Sequence, residues 1–256
     1  MRSPKILVAL IAGAVMGLVA IVAFVLVVLA PLPQAAEPEP PAAEAPTWAP
    51  PVAPPEEAAD PGDGNQTRVD ADWAERTAAV TGIPVRALVA YAGAALFKQA
   101  QMPSCELSWA TLAGVGLVES DHGRHGGSVL DENGTATPGI FGIALDGVTT
   151  AHIPDSDDGE IDGDPEYDRA VGPMQLIPQT WRNWHVDGGG DGVEDPQNID
   201  DAATAAANYL CRSTPGMATE EGWRAGISAY NSSDTYLSNV AAAAVRYAEL
   251  AEAAAP

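Results

Sequence analysis

The chain has 256 residues, with 35 acidic residues against 12 Lys and Arg, and a formal net charge of -23. A surface this acidic repels phosphate backbones, so we exclude nucleic acid as a partner. Hydrophobic residues make up 46% of the chain, enough for a core in the part that follows the N-terminal segments.

The first 65 residues form two segments that are not expected to join that core. After Arg2 and Lys5, residues 6–30 carry no charge and are long enough to span a bilayer. Basic residues before the span and acidic ones after it predict that residues 1–5 are cytoplasmic and the rest lies outside the cell membrane. A cleaved signal peptide on a secreted protein is the alternative. Residues 31–65 are rich in Pro, Ala and Glu, which predicts an extended linker.

Helical patterns dominate residues 66–256, which we interpret as one mainly α domain. In chain order, the patterns predict helices over 72–80, 84–101, 109–120, 201–210, 223–230 and 239–254. Residues 126–169 are rich in Gly, Asp and Pro and predict a long irregular excursion with two short strands. The expected class is therefore α+β with a small β element.

One acid interrupts the apolar helix predicted over 109–120. At helical spacing Glu119 shares a face with Leu112 and Val115. Burial disfavours the charged form of a carboxyl and raises its pKa, which is what a general acid needs near neutral pH. Glu119 is therefore the catalytic candidate, and an exposed or salt-bridged Glu at a helix end is the alternative.

Two downstream segments place amide and phenol groups among apolar neighbours. They are DRAVGPMQLIPQTW, residues 168–181, and ISAYN, residues 227–231. Sugar sites use this mixture, because hydroxyl and acetamido groups need planar donors and acceptors while sugar faces stack on aromatic rings. Taken alone, Gln175 could be an ordinary turn residue and Tyr230 an ordinary core aromatic.

Taken together and in this order, the motifs resemble the lysozyme-like domain of lytic murein transglycosylases. The resemblance is to the membrane-bound lytic transglycosylase B type, in its actinobacterial form, and covers about residues 83–247. Further matching stretches are LAGVGLVESDHGRHGG, DGVEDPQNIDDAATAAANYLC and SAYNSSDTYLSNV. The resemblance implies cleavage of the β-1,4 bond between N-acetylmuramic acid and N-acetylglucosamine in peptidoglycan without water, leaving 1,6-anhydromuramoyl ends.

The resemblance also implies roles for individual residues. Glu119 matches the acid/base, and Ser120 matches the residue that orients it or contacts the acetamido group. The sugar-binding loop corresponds to Gly172, Pro173, Met174 and Gln175, and the pair lining the cleft to Tyr230 and Asn231. Glycan strands are the implied partner, with cell-wall synthesis or division proteins as further expected partners, and no cofactor is required.

A single carboxylate is enough for this chemistry, whereas ordinary glycosidases need two about 5 to 9.5 Å apart. Asp121 stands where the family usually has Gly, and two positions from Glu119 it points about 200° away, so we expect it to serve the helix end. If it reached the cleft, a lysozyme-like hydrolase would be favoured. A catalytically silent peptidoglycan-binding scaffold is the other alternative. Surface or capping roles are expected for His122 and His125.

Two further features bear on stability. Cys105 and Cys211 are the only cysteines, and an even pair in an extracytoplasmic domain predicts a disulfide, with two separate buried thiols as the alternative.

The loop from Asp187 partly matches a calcium loop, with ligands at Asp187, Asp191, the Val193 carbonyl and Asp195. It lacks a side chain at position 3 and has Asn198 at position 12, so a turn held by Asx hydrogen bonds is the alternative. The acidic run 155–164 is expected to be a surface loop.

Overall fold

A computed structural model describes residues 45–254. The predicted membrane anchor, 6–30, and residues 31–44 of the predicted linker lie outside the described residues. Within 45–254 no single helix is long and apolar enough to cross a membrane. Two consecutive helices, Ala71–Thr81 and Val85–Gln101, pass on length and composition only when taken together, and they meet at a bend of 119°.

The described residues form eight α-helices and one small sheet, which confirms the predicted mainly α class. The helices are α1 (Asn65–Arg68), α2 (Ala71–Thr81), α3 (Val85–Gln101), α4 (Trp109–Ser120), α5 (Pro178–Trp184), α6 (Ile199–Ser213), α7 (Glu220–Tyr230) and α8 (Asp234–Ala253). Two antiparallel strands, β1 (Val129–Leu130) and β2 (Ala136–Thr137), pair Val129 with Thr137 inside the predicted excursion.

Capping side chains determine where the last three long helices begin. The side chains of Asn198, Thr219 and Ser233 accept hydrogen bonds from backbone N–H groups in the first turns of α6, α7 and α8. Each satisfies a donor that the helix itself leaves unpaired. These helices start two to five residues earlier than apolar periodicity predicted, because their first turns are polar and only the cap marks them.

The core is built around α3 and α4, which are buried on almost every face. Ala90, Tyr91 and Ala92 of α3 and Leu112, Ala113 and Val115 of α4 are inaccessible to solvent. Small residues allow the helices to approach closely: a Cβ on Gly114 would lie 2.8 Å from the Val240 carbonyl oxygen of α8. As a result, the polar end of α4 is held between α8 and the loops that follow.

The residues just before α1 form an N-terminal arm, residues 45–64, that packs on the helices. Ala49 is buried, and Trp48 and Val52 pack against the core. Arg224 donates a hydrogen bond to the Thr47 carbonyl oxygen at 3.2 Å. The Pro-rich sequence of these residues predicts a linker, because such sequence forms little regular structure, but their few apolar side chains pack against the core. The arm belongs to the same compact unit as the helices.

A disulfide joins Cys105 to Cys211, as predicted, with their Cα atoms 5.4 Å apart. Cys105 ends a short 3-10 turn after α3, and Cys211 lies in the last turn of α6. The bond therefore closes a loop of 106 residues that contains Glu119 and the whole irregular excursion.

Replacing both cysteines with serine is expected to lower the free energy of unfolding by about 4–5 kcal/mol, because the cross-link removes entropy from the unfolded chain. Urea unfolding of the oxidised protein and the double variant measures this difference. A loss below about 1 kcal/mol would show that the cross-link does not constrain the unfolded chain as this account requires.

Candidate active site

Glu119 lies in the last turn of α4 and is partly buried. The Tyr236 hydroxyl, from the first turn of α8, donates a hydrogen bond to its Oε1 at 2.6 Å. Burial raises the pKa of Glu119 to about 7, and the Tyr236 hydrogen bond, which favours the charged form, opposes part of that rise. At neutral pH the carboxyl group can therefore both give and take a proton.

Ser120 connects the end of α4 to the predicted sugar-binding loop. Its buried hydroxyl donates to the Pro173 carbonyl oxygen at 2.6 Å and accepts from the Gly123 N–H at 2.8 Å. Both of these hydrogen bonds of the hydroxyl are therefore made to backbone groups. In this arrangement Ser120 holds the loop beside Glu119.

The loop 172–175 is tightly shaped by its first and last residues. Gly172 has φ of 73°, and a Cβ there would lie 1.7 Å from the Pro196 carbonyl oxygen. Gln175 also has a positive φ, 48°, and its Nε2 donates to the Gly172 carbonyl oxygen at 3.0 Å. Only glycine fits at Gly172, because a side chain would have no room even if the strained backbone were accepted.

Tyrosines from two helices complete the surroundings of the acid. Tyr230, the last residue of α7, donates its hydroxyl to the Met174 carbonyl oxygen at 2.6 Å. Its ring stacks on that of Tyr236, with centroids 6.4 Å apart and planes 6° apart. Asn231 lies at the end of α7, exposed, and accepts from the Ser233 N–H at 3.0 Å. Its side chain makes none of the hydrogen bonds that link the other predicted residues.

The structure therefore brings most of the predicted site residues into one linked group. Hydrogen bonds join Ser120 to Pro173, Gln175 to Gly172, and Tyr230 to Met174. Sequence reasoning missed Tyr236, the residue that contacts the acid directly. The Ser233 cap could have revealed it, since starting α8 there places Tyr236 in the first turn, beside the end of α4.

Asp121 and His122 follow Glu119 but turn away from each other. Asp121 has φ of 51°, ends α4, and pairs with Arg124 on the surface at 2.7 Å, which agrees with its expected place at the helix end. His122 caps α4, which is one of the two predicted roles, because its backbone N–H donates to the Gly116 carbonyl oxygen at 2.9 Å, but its side chain does not lie on the surface. Its ring is buried between Tyr91 and Tyr247, because the left-handed residues 121–123 fold the chain back against α4.

In the loop that resembles a calcium site, the carboxylates bond the backbone. Asp187 accepts from the N–H groups of Gly190, Asp191 and Gly192, and Asp201 accepts from those of Gly188, Gly189 and Asp195. Burial raises the pKa of Asp201 to about 6. Asx turns are present at Asp191 and Asp195, which accept from the N–H groups of Val193 and Gln197, and calcium at Asp187, Asp191, Val193 and Asp195 stays a prediction.

The acidic run 155–164 is not simply a surface loop. The carboxylates of Asp155 and Asp157 converge with that of the fully buried Asp168, and their ligand-type atoms lie within 4.8 Å of one another. Asp168 accepts from the Ser156 N–H and hydroxyl, at 2.9 and 3.0 Å. Its burial is the reason the loop folds inward, a long-range contact that local ligand spacing did not reveal.

Comparison with known proteins agrees with this geometry. Residues 165–253 match a family model described as a transglycosylase SLT domain. The match supports the lytic transglycosylase, lysozyme-like class for this domain. It includes the 172–175 loop, Tyr230 and Tyr236, and Glu119 precedes it. No curated protein and no solved structure matches the chain.

Gly172→Ala is expected to destabilise the protein by about 2–4 kcal/mol, because the left-handed strain adds to a backbone clash. Gly126→Ala is the matched control, since Gly126 also has a positive φ, 66°, but has no atom within 4 Å of the added Cβ. That variant should lose only about 1 kcal/mol. Urea denaturation compares the two, and equal losses would contradict the fit described for Gly172.

Proposed function

We propose that this protein is a peptidoglycan lytic transglycosylase of the membrane-bound B type, in its actinobacterial form. It cleaves the β-1,4 bond from N-acetylmuramic acid to N-acetylglucosamine and leaves 1,6-anhydromuramoyl ends. The observation that carries the proposal is the pairing of one partly buried carboxyl, whose pKa is raised to about 7, with one phenol donor. The family match to residues 165–253 supports the class of reaction and the substrate.

In the first step, protonated Glu119 gives its proton to the glycosidic oxygen as the bond to the muramoyl C1 breaks. The N-acetylglucosamine part leaves as an alcohol, and the substrate's own acetamido group stabilises the positive charge at C1. The Glu119 carboxylate left behind is stabilised by the Tyr236 hydroxyl at 2.6 Å. A hydrogen bond of this kind strengthens as the charge develops.

In the second step, the same carboxylate removes the proton from the muramoyl 6-hydroxyl, whose oxygen attacks C1. Glu119 returns to its protonated form and no water is consumed. One group can serve both steps because a pKa near the working pH balances proton donation against proton removal. Among the described residues no charged side chain contributes to the shifted pKa of Glu119, so its own burial and Tyr236 set it.

We also propose that the 172–175 loop and the tyrosine rings hold the glycan. Gln175 is partly exposed and its amide is held by the Gly172 carbonyl, so its oxygen is directed by the loop. The partly exposed rings of Tyr209 and Tyr230 are neighbours, with centroids 5.7 Å apart, and Tyr230 stacks on the buried ring of Tyr236. Sugar faces pack on aromatic rings of this kind.

The disulfide supports an extracytoplasmic location for the domain, which we propose is held to the membrane by residues 6–30.

Glu119→Gln in the full-length chain is expected to lower release of anhydromuropeptides from peptidoglycan by about 100-fold or more. Asp121→Asn is the matched control, because it removes a neighbouring carboxylate that lies on the surface, and it should retain wild-type release. Mass spectrometry of the products measures both. Reducing ends would indicate a hydrolase, and release unchanged by Glu119→Gln would refute the role of Glu119.

The pH dependence of turnover should follow the protonation of Glu119. The first step needs the protonated form, so activity should fall as pH rises through about 7, the pKa to which burial raises this group. An ordinary Glu, with a pKa of about 4.3, would already be inactive as an acid at pH 6. Initial rates of anhydro-product release between pH 4 and 9 measure this fall, which is the alkaline limb of the pH–rate profile. An alkaline limb with its midpoint below pH 5 would contradict the proposal.

A further inference from the structure

The helix α8 lies close against α4 and buries Leu237 and Val240 as well as small residues. Gly114 of α4 lies against the backbone of Val240 and Ala244, and Ala244 is fully buried there. Close packing of this kind holds the two helices together, and hydrogen bonds add contacts that depend on distance and direction. The hydrogen bonds made by α8 are therefore sensitive to a small shift of the helix.

Such bonds exist at two points on α8, and both reach the segment that ends α4. Tyr236 donates to Glu119, and the Tyr247 hydroxyl bonds His122 Nε2 at 2.8 Å. The two tyrosines are eleven positions apart, about three helical turns, so they share one face of α8 about 16 Å apart. A shift of the helix that broke one bond would strain the other.

His122 is itself fixed from the opposite side. Its backbone N–H donates to the Gly116 carbonyl oxygen at 2.9 Å, and its Nδ1 lies 3.3 Å from the Tyr91 hydroxyl of α3. A Cβ on Gly116 would lie 2.0 Å from that hydroxyl, so the glycine makes room for it. Both ring nitrogens thus have a partner, and phenol hydroxyls can donate or accept as the neutral imidazole requires.

We propose that His122, through Tyr247, fixes the register of α8 and so holds Tyr236 on Glu119. His122 is then a positioning residue for the acid/base. This inference rests on the proposed function, since it assumes that the Tyr236–Glu119 contact serves catalysis. His122 is the one fully buried histidine among the described residues, and this role would account for the partners of both its ring nitrogens.

The groups around both side chains make a pH test interpretable. Glu119 faces Tyr236 from α8 and Tyr230 from α7, and burial raises the pKa of both phenols. His122 faces Tyr91 and Tyr247, with Arg124 and Asp121 on its own segment, and burial lowers its pKa to about 4. Near pH 7, therefore, a shift in titration reports on Glu119.

The test compares two variants of the full-length chain that each remove one hydroxyl from the same imidazole. Tyr247→Phe cuts the bond to α8, and Tyr91→Phe cuts the bond to α3. We expect Tyr247→Phe to lower turnover by about 3- to 10-fold, the factor that matches one buried hydrogen bond. It should also move the alkaline limb to higher pH, because losing the Tyr236 donor raises the pKa of Glu119. Tyr91→Phe keeps the Tyr247 bond and the backbone bond of His122 to Gly116, so it should lower the melting temperature and leave the limb in place.

A double-mutant cycle tests whether Tyr247 affects Glu119 through Tyr236. Tyr236→Phe should shift the limb in the same direction, and adding Tyr247→Phe to it should produce no further shift. Additive shifts, an unmoved limb in Tyr247→Phe, or equal shifts in Tyr247→Phe and Tyr91→Phe would each overturn the proposal.

Direct titration of the Glu119 carboxyl by difference infrared spectroscopy, with Glu119→Gln as the reference, gives the same comparison without turnover. If the wild type made no anhydro products, the proposed function would fail. A Glu119 titration that moved in Tyr247→Phe alone would still support the register role, and one that moved in neither variant would refute it.

Discussion

The hydrogen bond between Tyr236 and the half-buried carboxyl of Glu119 is the interaction on which the rest of this site depends. Burial alone would favour a permanently neutral acid, and full exposure would give a permanently charged one. The Tyr236 donor compensates for part of the lost solvation, so the pKa settles at about 7. Only in that range can one side chain act as acid and then as base.

The fold supplies this balance by bringing distant segments to the end of α4. Ser120 holds the 172–175 loop, Tyr230 holds the same loop from α7, and α8 delivers Tyr236. The disulfide closes the chain around all of the irregular region between α4 and α6. The site is therefore built at the ends of three helices, α4, α7 and α8, together with the loop 172–175.

Much of this arrangement could be predicted from the sequence, and the failures have physical causes. Apolar periodicity predicted α3 and α4, and an acid on an apolar face pointed to Glu119. Apolar periodicity did not predict the start of α8, because the first turn of that helix is polar. Tyr236, which lies in that turn, was therefore missed. The burial of His122 and Asp168 depends on chain reversals and long-range contacts, which no local pattern contains. The Pro-rich composition of the arm predicts a linker, since composition does not reveal that its few apolar side chains pack against the core.

The most direct test of this account is the titration of the Glu119 carboxyl in the folded wild-type protein, by carbon-13 NMR with labelled glutamate. A midpoint of about 7 is expected for this one resonance, because burial raises the pKa of Glu119. A midpoint near the ordinary value of about 4.3 would mean that the carboxyl is charged at neutral pH, and the mechanism would be contradicted.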